Sequence, residues 1–465
     1  STKSQEPNKI RSLNPEYSGL NPKEYNNKLK TVTFSLASHC GLTLLCRVPT
    51  AHFQIPQFSN FHIFHISTFS HILSVILSIS FATNMLKLPI YLDNNATTPV
   101  DSQVLQAMLP YFTEHYGNAA SRSHSFGWVA EEAVAQAREQ VAQLIGADPS
   151  EIIFTSGATE AINLAMKGVF EMYAAKGRHI ITCTTEHKAV LDTAAHLEKR
   201  GAEITYLPVN RDGTIDAGTL QSAIREDTIL ISIMMANNET GVLQPVREIG
   251  AIARQRGILF FTDATQAVGK IPVNVTDDHI DMLCLSAHKI YGSKGVGALY
   301  VRRKGPRVRL VAQIDGGGHE KGMRSGTLNV PGIAGLGKAC TLCLQQMQEE
   351  SQRIAVQRDR MEKELTHLSR VVVNANTTHR LPGVTNLSFA GITGNRLLTE
   401  INRTIAVSSG SACTSANPEP SHVLKAMGLD DDLAGSSIRF GLGRFTTGEE
   451  IEYTIDTVKQ IVQDL

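Results

Sequence analysis

Seven runs, at 152–154, 180–183, 204–209, 229–235, 258–261, 282–285 and 296–301, are short, apolar and rich in β-favouring residues, with helical stretches between them. Strands of about four to eight residues that alternate with helices build βαβ units, which stack mainly parallel strands with both faces covered. The spacing therefore predicts an α/β fold with a mainly parallel seven-stranded sheet in a large domain. A helix predicted at 130–145 puts Val134, Ala137, Val141 and Leu144 on one face. After a long helical region at 332–368 the pattern changes to a smaller α+β unit. Its last helix opens on a capping box, Thr447 with Glu450, and lines up Ile451, Ile455, Val458, Val462 and Leu465. We expect a large domain over 99–348 and a small one made of 85–98 with 349–465.

In such sheets ligands bind beyond the carboxyl ends of the strands, and the polar residues collect there. Ser156-Gly157-Ala158-Thr159 follows the first run and Glu186-His187-Lys188 the second. Asn237-Asn238-Glu239-Thr240 follows the fourth, Asp263 the fifth, and Ser286-Ala287-His288-Lys289 the sixth. Small residues at a strand–helix turn let an anion approach unpaired N–H groups at the positive end of the helix. The Walker and dinucleotide spacings are both absent, which disfavours nucleotide binding. A lysine after an apolar strand is open to desolvation and Schiff-base chemistry, although a solvent-pointing lysine has the same signature. A strand-end aspartate can keep a pyridine nitrogen protonated, or simply cap a helix. Asp263 and Lys289 on successive strands favour the chemical reading of both.

Several runs together resemble the cysteine desulfurase family. They are Tyr91-Leu92-Asp93-Asn94-Asn95-Ala96-Thr97-Thr98-Pro99, the turn from Phe154 to Glu160, Thr185-Glu186-His187-Lys188, Asp263-Ala264-Thr265-Gln266 and His288-Lys289-Ile290-Tyr291-Gly292. To these are added Ser408-Ser409-Gly410-Ser411-Ala412-Cys413-Thr414-Ser415-Ala416, Ser436-Ser437-Ile438-Arg439-Phe440 and Gly443-Arg444-Phe445-Thr446-Thr447. The resemblance covers 85–465 and none of 1–84. It implies fold type I of the pyridoxal-phosphate transferases within the class-V aminotransferases, and a long loop around Cys413.

It further implies pyridoxal 5'-phosphate as cofactor and L-cysteine as substrate. Lys289 forms the Schiff base and moves the Cα proton, Asp263 pairs with the pyridinium, and Gln266 and Asn238 lie near the phenolate oxygen. His187 stacks on the ring and shuttles a proton to or from the substrate sulfur. Ala158, Thr159, Ser286 and His288 hold the phosphate, joined by Thr327 from a second subunit, so the resemblance implies a homodimer. Arg439 takes the substrate carboxylate. Cys413 receives the sulfur as a persulfide, and is the one metal ligand implied, transiently for an iron–sulfur cluster. The sulfur then passes to an iron–sulfur scaffold or another acceptor protein, with no nucleic acid required. Ala287 and Ser293, the latter where Pro is common, depart from the pattern without threatening cofactor binding. The end at Leu465 is shorter than in housekeeping members, which leaves the acceptor open. Asn94-Asn95 and Asn238-Glu239-Thr240 resemble the nitrogen-fixation branch. Two other readings stay open: another activity on this fold, such as an aminotransferase or selenocysteine lyase, and a binding protein that has lost catalysis.

The bulk composition is neutral to these readings. The 465 residues are 42% hydrophobic and 19% charged with zero formal net charge, so no basic excess points to nucleic acid. Seven cysteines in this length do not make a disulfide scaffold. Cys340 and Cys343 have metal-like spacing but sit in an apolar helical run, where core packing is the simpler reading. Residues 1–84 carry seven Lys/Arg against three Glu, and 48–86 hold no charged residue. Three readings compete for this extension: non-native or disordered sequence before a start at Met85, a transit peptide, or a membrane anchor at 61–82. The expected location is the cytoplasm, or the mitochondrion if 1–84 is a transit peptide.

Overall fold

The computed structural model describes residues 86–409 and 420–465, together with the backbone of two strands, β1 (Leu29–Phe34) and β2 (Leu44–Pro49). These two pair antiparallel within a unit, Ser1–Met85, that is separate from the compact unit Leu86–Leu465. The candidate anchor at 61–82 and the Cys413 loop lie outside the described residues. Among the described residues no helix is long and apolar enough to cross a membrane.

In the compact unit a short strand, β3 (Ile90–Tyr91), precedes β4 (Ile152–Thr155), β5 (His179–Cys183), β6 (Glu203–Leu207), β7 (Thr228–Ser232), β8 (Leu259–Asp263), β9 (Met282–Ser286) and β10 (Gly297–Val301). The last seven form one sheet in the order β4-β10-β9-β8-β7-β5-β6. Only β10 runs antiparallel to its neighbours. All seven predicted runs are therefore strands of a single sheet. The run at 229–235 overshoots β7 because Ile233, Met234 and Met235 stay buried after the strand has ended.

Side chains alternate across a strand, and here each alternate set enters a different core. Ile181, Ile231, Phe260 and Leu283 join one cluster; Ile180, Leu230, Phe261 and Met282 join the other. Uninterrupted apolar strands demand cover on both faces. Helix α1 (Ser125–Ile145) contributes Val134 and Val141 to the first core, while α2 (Ala158–Met172) and α3 (Lys188–Glu198) contribute Ile162, Met166, Val190 and Leu197 to the second. Helix α1 starts five residues before the apolar periodicity does, because His124 caps it: its Nδ1 accepts from the Gly127 N–H at 3.3 Å. Gly146, at φ 68°, ends it in the left-handed region.

Helix α4 (Val330–Thr366) packs along α1 at close range, since a Cβ on Gly337 would stand 2.7 Å from the Ala137 Cα. Cys340 and Cys343 are buried free thiols on α4, and no metal-binding cluster occurs among the described residues. Edge strand β4 is not left open. The buried Glu320 accepts from the Phe154 N–H at 2.7 Å and pairs with Arg138 of α1, also at 2.7 Å. An exposed edge invites pairing with other chains, so Glu320 does more than the turn predicted at 316–320.

The remaining strands are β11 (Val371–Val373), β12 (Val384–Phe389), β13 (Ile405–Ala406) and β14 (Ser437–Gly441). An antiparallel sheet has the order β11-β12-β14, and β13 pairs parallel with β3. Helix α5 (Gly448–Asp464) opens on the predicted Thr447–Glu450 capping box. These elements share a third core that includes Leu92, Met361, Leu387, Phe440, Ile451 and Val458.

Candidate active site

A cavity of about 590 Å³ opens at the carboxyl ends of β4, β7, β8 and β9. Every described candidate residue except Thr327 lines it. Thr327 is exposed on its own chain, away from this cavity.

At one end lies the N-terminus of α2. Ala158 and Thr159 are its first residues, so their N–H groups have no carbonyl one turn earlier. Gly157, at φ 154°, precedes them, and a Cβ there would point at the Ser286 Oγ from 3.8 Å. Glycine thus keeps open a cradle walled by a hydroxyl and a helix terminus, suited to an oxyanion. His288 completes this end and shares a 3.1 Å hydrogen bond with the Thr97 Oγ1. Burial, then the nearby Lys289, Lys294 and Lys270 ammoniums, push its pKa down to about 4. A neutral ring results at pH 7.

At the other end Asp263, the last residue of β8, is buried. Its Oδ1 accepts from the Thr265 N–H at 2.9 Å and from the Cys284 thiol at 3.3 Å. No helix follows Asp263, so it caps a turn rather than a helix, and these contacts occupy only one of its two carboxylate oxygens. His187 sits at the N-cap of α3, where its Nδ1 accepts from the Ala189 N–H at 3.1 Å. A neutral ring held this way carries its proton on Nε2. Beside it, burial raises the Glu186 carboxyl well above the usual range.

Between the two ends lies Lys289, in a single turn after β9. Its Nζ donates to the Asn95 carbonyl at 2.5 Å and the Ala96 carbonyl at 2.7 Å. The Gln266 Nε2 donates to the same Asn95 carbonyl at 2.9 Å. Arg439 enters from β14 and is 2% exposed. Its Nη2 pairs with Asp93 at 2.6 Å, and its Nη1 donates to the Asn238 carbonyl at 2.9 Å. The buried Nε has no partner among the described residues. Asn95, Ala96 and Thr97 form part of the wall, a role that no periodicity announced. Their sequence signal was the run from Tyr91 to Pro99 that carries part of the family resemblance. Ser293, where a proline was expected, holds a buried hydroxyl with no partner among the described residues.

This architecture has known counterparts. Residues 90–454 match the family described as Aminotransferase class-V. The chain is similar to the cysteine desulfurase IscS of Anaeromyxobacter sp. (strain Fw109-5), with 58% identity over 381 residues, 82% of this chain and 94% of that one. A solved NifS-like protein matches with TM-score 0.76 and 38% identity, over 81% of this chain and 100% of that one. SspA, solved in complex with cysteine, matches with TM-score 0.68 and 37% identity, over 77% of this chain and 100% of that one. The chain belongs to the class-V aminotransferases. Within that class it is a member of the cysteine desulfurase family.

Proposed function

We propose that this chain is a pyridoxal-phosphate-dependent cysteine desulfurase. It converts L-cysteine to L-alanine and holds the sulfur as a persulfide on Cys413, for delivery to iron–sulfur cluster assembly and other sulfur acceptors. The observation that carries this reading is the meeting of Asp263, Lys289, His187 and Arg439 in one cavity with the α2 terminus.

That donor set fits a flat pyridine aldehyde phosphate. Ala158, Thr159, Ser286 and His288 would hold the phosphate, Asp263 the ring nitrogen, and Gln266 and Asn238 the phenolate edge. When bound, pyridoxal phosphate supplies a carbonyl for amines and an electron-withdrawing ring that makes a Cα proton labile. Lys289 Nζ would attach the group and carry the Cα proton. Arg439 binds the substrate carboxylate, using the guanidinium capacity that Asp93 leaves over. His187 Nε2 moves the proton of the substrate thiol. The Cys413 thiolate attacks the substrate sulfur. An S–S bond forms as the C–S bond breaks, its electron pair goes to the carbon and is protonated, and alanine leaves.

The working unit is a homodimer. Exposed Tyr116 and Phe126, whose ring centroids are 5.3 Å apart, support this, since aromatic side chains exposed together mark a surface covered by a partner, and Thr327 would reach the partner's phosphate site. The separate third core supports the division into a large domain at 99–348 and a small one at 85–98 with 349–465. Four buried free thiols suit a reducing compartment, the cytoplasm.

Incubating the full chain with pyridoxal phosphate and sulfur-labelled cysteine should label the peptide containing Cys413, with one alanine released per sulfur. In Cys413→Ala both signals should vanish while the yellow cofactor band stays. Alanine formed at an unchanged rate by that variant would turn the assignment towards another activity on this fold.

A further inference from the structure

Three lysine or arginine side chains stand in the wall of the active-site cavity: Lys289, Lys294 and Arg439. Arg439 is paired with Asp93, and Lys289 is the amine that would attach the ring. Lys294 has no task in the reading above, and no carboxylate pairs with it among the described residues. Its place in the fold is at the cradle end of the cavity. The Val296 carbonyl accepts from the Ala287 N–H at 3.1 Å, and a Cβ on Gly297 would stand 2.8 Å from the Gly157 Cα. The segment 294–297 therefore runs between the α2 terminus and the turn that carries Ser286 and His288. The Lys294 charge is felt there: after burial and Lys289, it is the next influence that lowers the His288 pKa.

We propose that Lys294 is a further binding residue of this site, the cation that balances a phosphate dianion in the α2 cradle and makes the cavity prefer a phosphorylated ligand. This rests on the desulfurase reading for the identity of that ligand, and the test separates the two.

A count of charges carries the proposal. A phosphate monoester brings about 1.5 to 2 negative charges at pH 7. The donors already named for the cradle are two backbone N–H groups, the Ser286 hydroxyl and the neutral His288 ring, none of them charged. The helix terminus supplies only about half a positive charge. Nearby, Glu160 in the first turn of α2 adds a carboxylate, and against its burial the Arg324 and Ser156 hydrogen bonds hold it ionised. Arg324, 2.8 Å away, cancels that charge and has none to spare. About one negative charge or more would thus stay unbalanced in a partly desolvated cleft. Lys294 is the cation in the wall with no carboxylate of its own, and an ammonium serves a phosphate as a point charge on a flexible stem.

The test compares two ligands that differ only in the phosphate. The full chain is freed of cofactor with hydroxylamine, and pyridoxal phosphate or pyridoxal is titrated in while the yellow band is followed. In Lys294→Met the dissociation constant for pyridoxal phosphate should rise on the order of tenfold or more, while that for pyridoxal stays within about twofold. Lys294→Arg, which keeps the cation, should stay near the wild type. The gap between wild type and Lys294→Met should narrow as sodium chloride is raised, because Lys294 is exposed and salt screens it. Equal affinity for pyridoxal phosphate in all three proteins overturns the proposal. So does a parallel loss of both ligands, which marks a disturbed site rather than a missing charge. A wild-type chain that takes up neither ligand counts against the desulfurase reading alone. Inorganic phosphate then decides the role of Lys294. It should raise the thermal midpoint of the wild type and of Lys294→Arg more than that of Lys294→Met, and equal shifts overturn the proposal.

Discussion

Arg439 and Arg444 are five residues apart and almost equally buried, with side-chain exposures of 3% and 7%, yet their surroundings differ in kind. Arg444 is neutralised by two carboxylates. Its Nη1 stands 2.9 Å from Asp101 and its Nε 2.7 Å from Glu350, while its guanidinium lies 4.3 Å over the Tyr291 ring. The Nε lacks an aligned hydrogen bond, but a carboxylate is beside it. Arg439 has one carboxylate, Asp93, one carbonyl and a buried Nε with no partner among the described residues. A buried cation balanced within the protein is scaffold; one with capacity left over, turned to a cavity, is poised for a ligand. The histidines divide the same way. Both ring nitrogens of His179 are taken by Thr228 and Thr205 hydroxyls, whereas His288 lines the cavity.

The sharpest way to break the comparison is Arg444→Met. It strands the buried Asp101 and the part-buried Glu350 without their cation, and removing one member of a buried ion pair costs about 3–5 kcal/mol. Denaturant unfolding of the full chain should show a loss of that size, and a loss below about 1 kcal/mol would class Arg444 with exposed pairs. Next in size, Arg439→Lys should leave cofactor uptake intact while kcat/KM for cysteine falls on the order of 10–100-fold, because a lysine offers no bidentate face. Unchanged kinetics would dissolve the distinction. The smallest effect concerns pH. The folded pKa of His288, about 4, lies below the ordinary 6.5, so between those values the unfolded chain binds a proton that the folded chain does not, and stability falls as pH drops from 6.5 to 4. In His288→Gln the thermal midpoint should fall less over that window, while parallel curves would show that His288 is not the group responsible.

Much of this was legible in the sequence. The strands announced themselves because their alternate residues enter two separate cores, which leaves no room for polar interruption. The site was legible at Asp263, Lys289 and His187 because each stands within four residues of the end of an apolar run. What could not be read depends on distance along the chain. Glu320, in a glycine-rich stretch, gives no sign that it will satisfy the Phe154 N–H. Lys294 looks like any lysine in a turn until the fold brings Gly297 against Gly157. The start of α1 was missed because its cap is a histidine, outside the usual capping residues. Cys413 rests on sequence alone.

The segment from Asp93 to Asp101 touches Arg439, Gln266, His288, Lys289 and Arg444. Its partner Arg439 comes 346 positions after Asp93. The consequence is one of timing. On the ribosome this strap emerges near the start of the folded unit and then waits for almost the whole polypeptide before its last contacts exist. The floor beneath the reactive amine is among the first parts made and the last completed, so a prematurely ended product lacks a finished catalytic chamber.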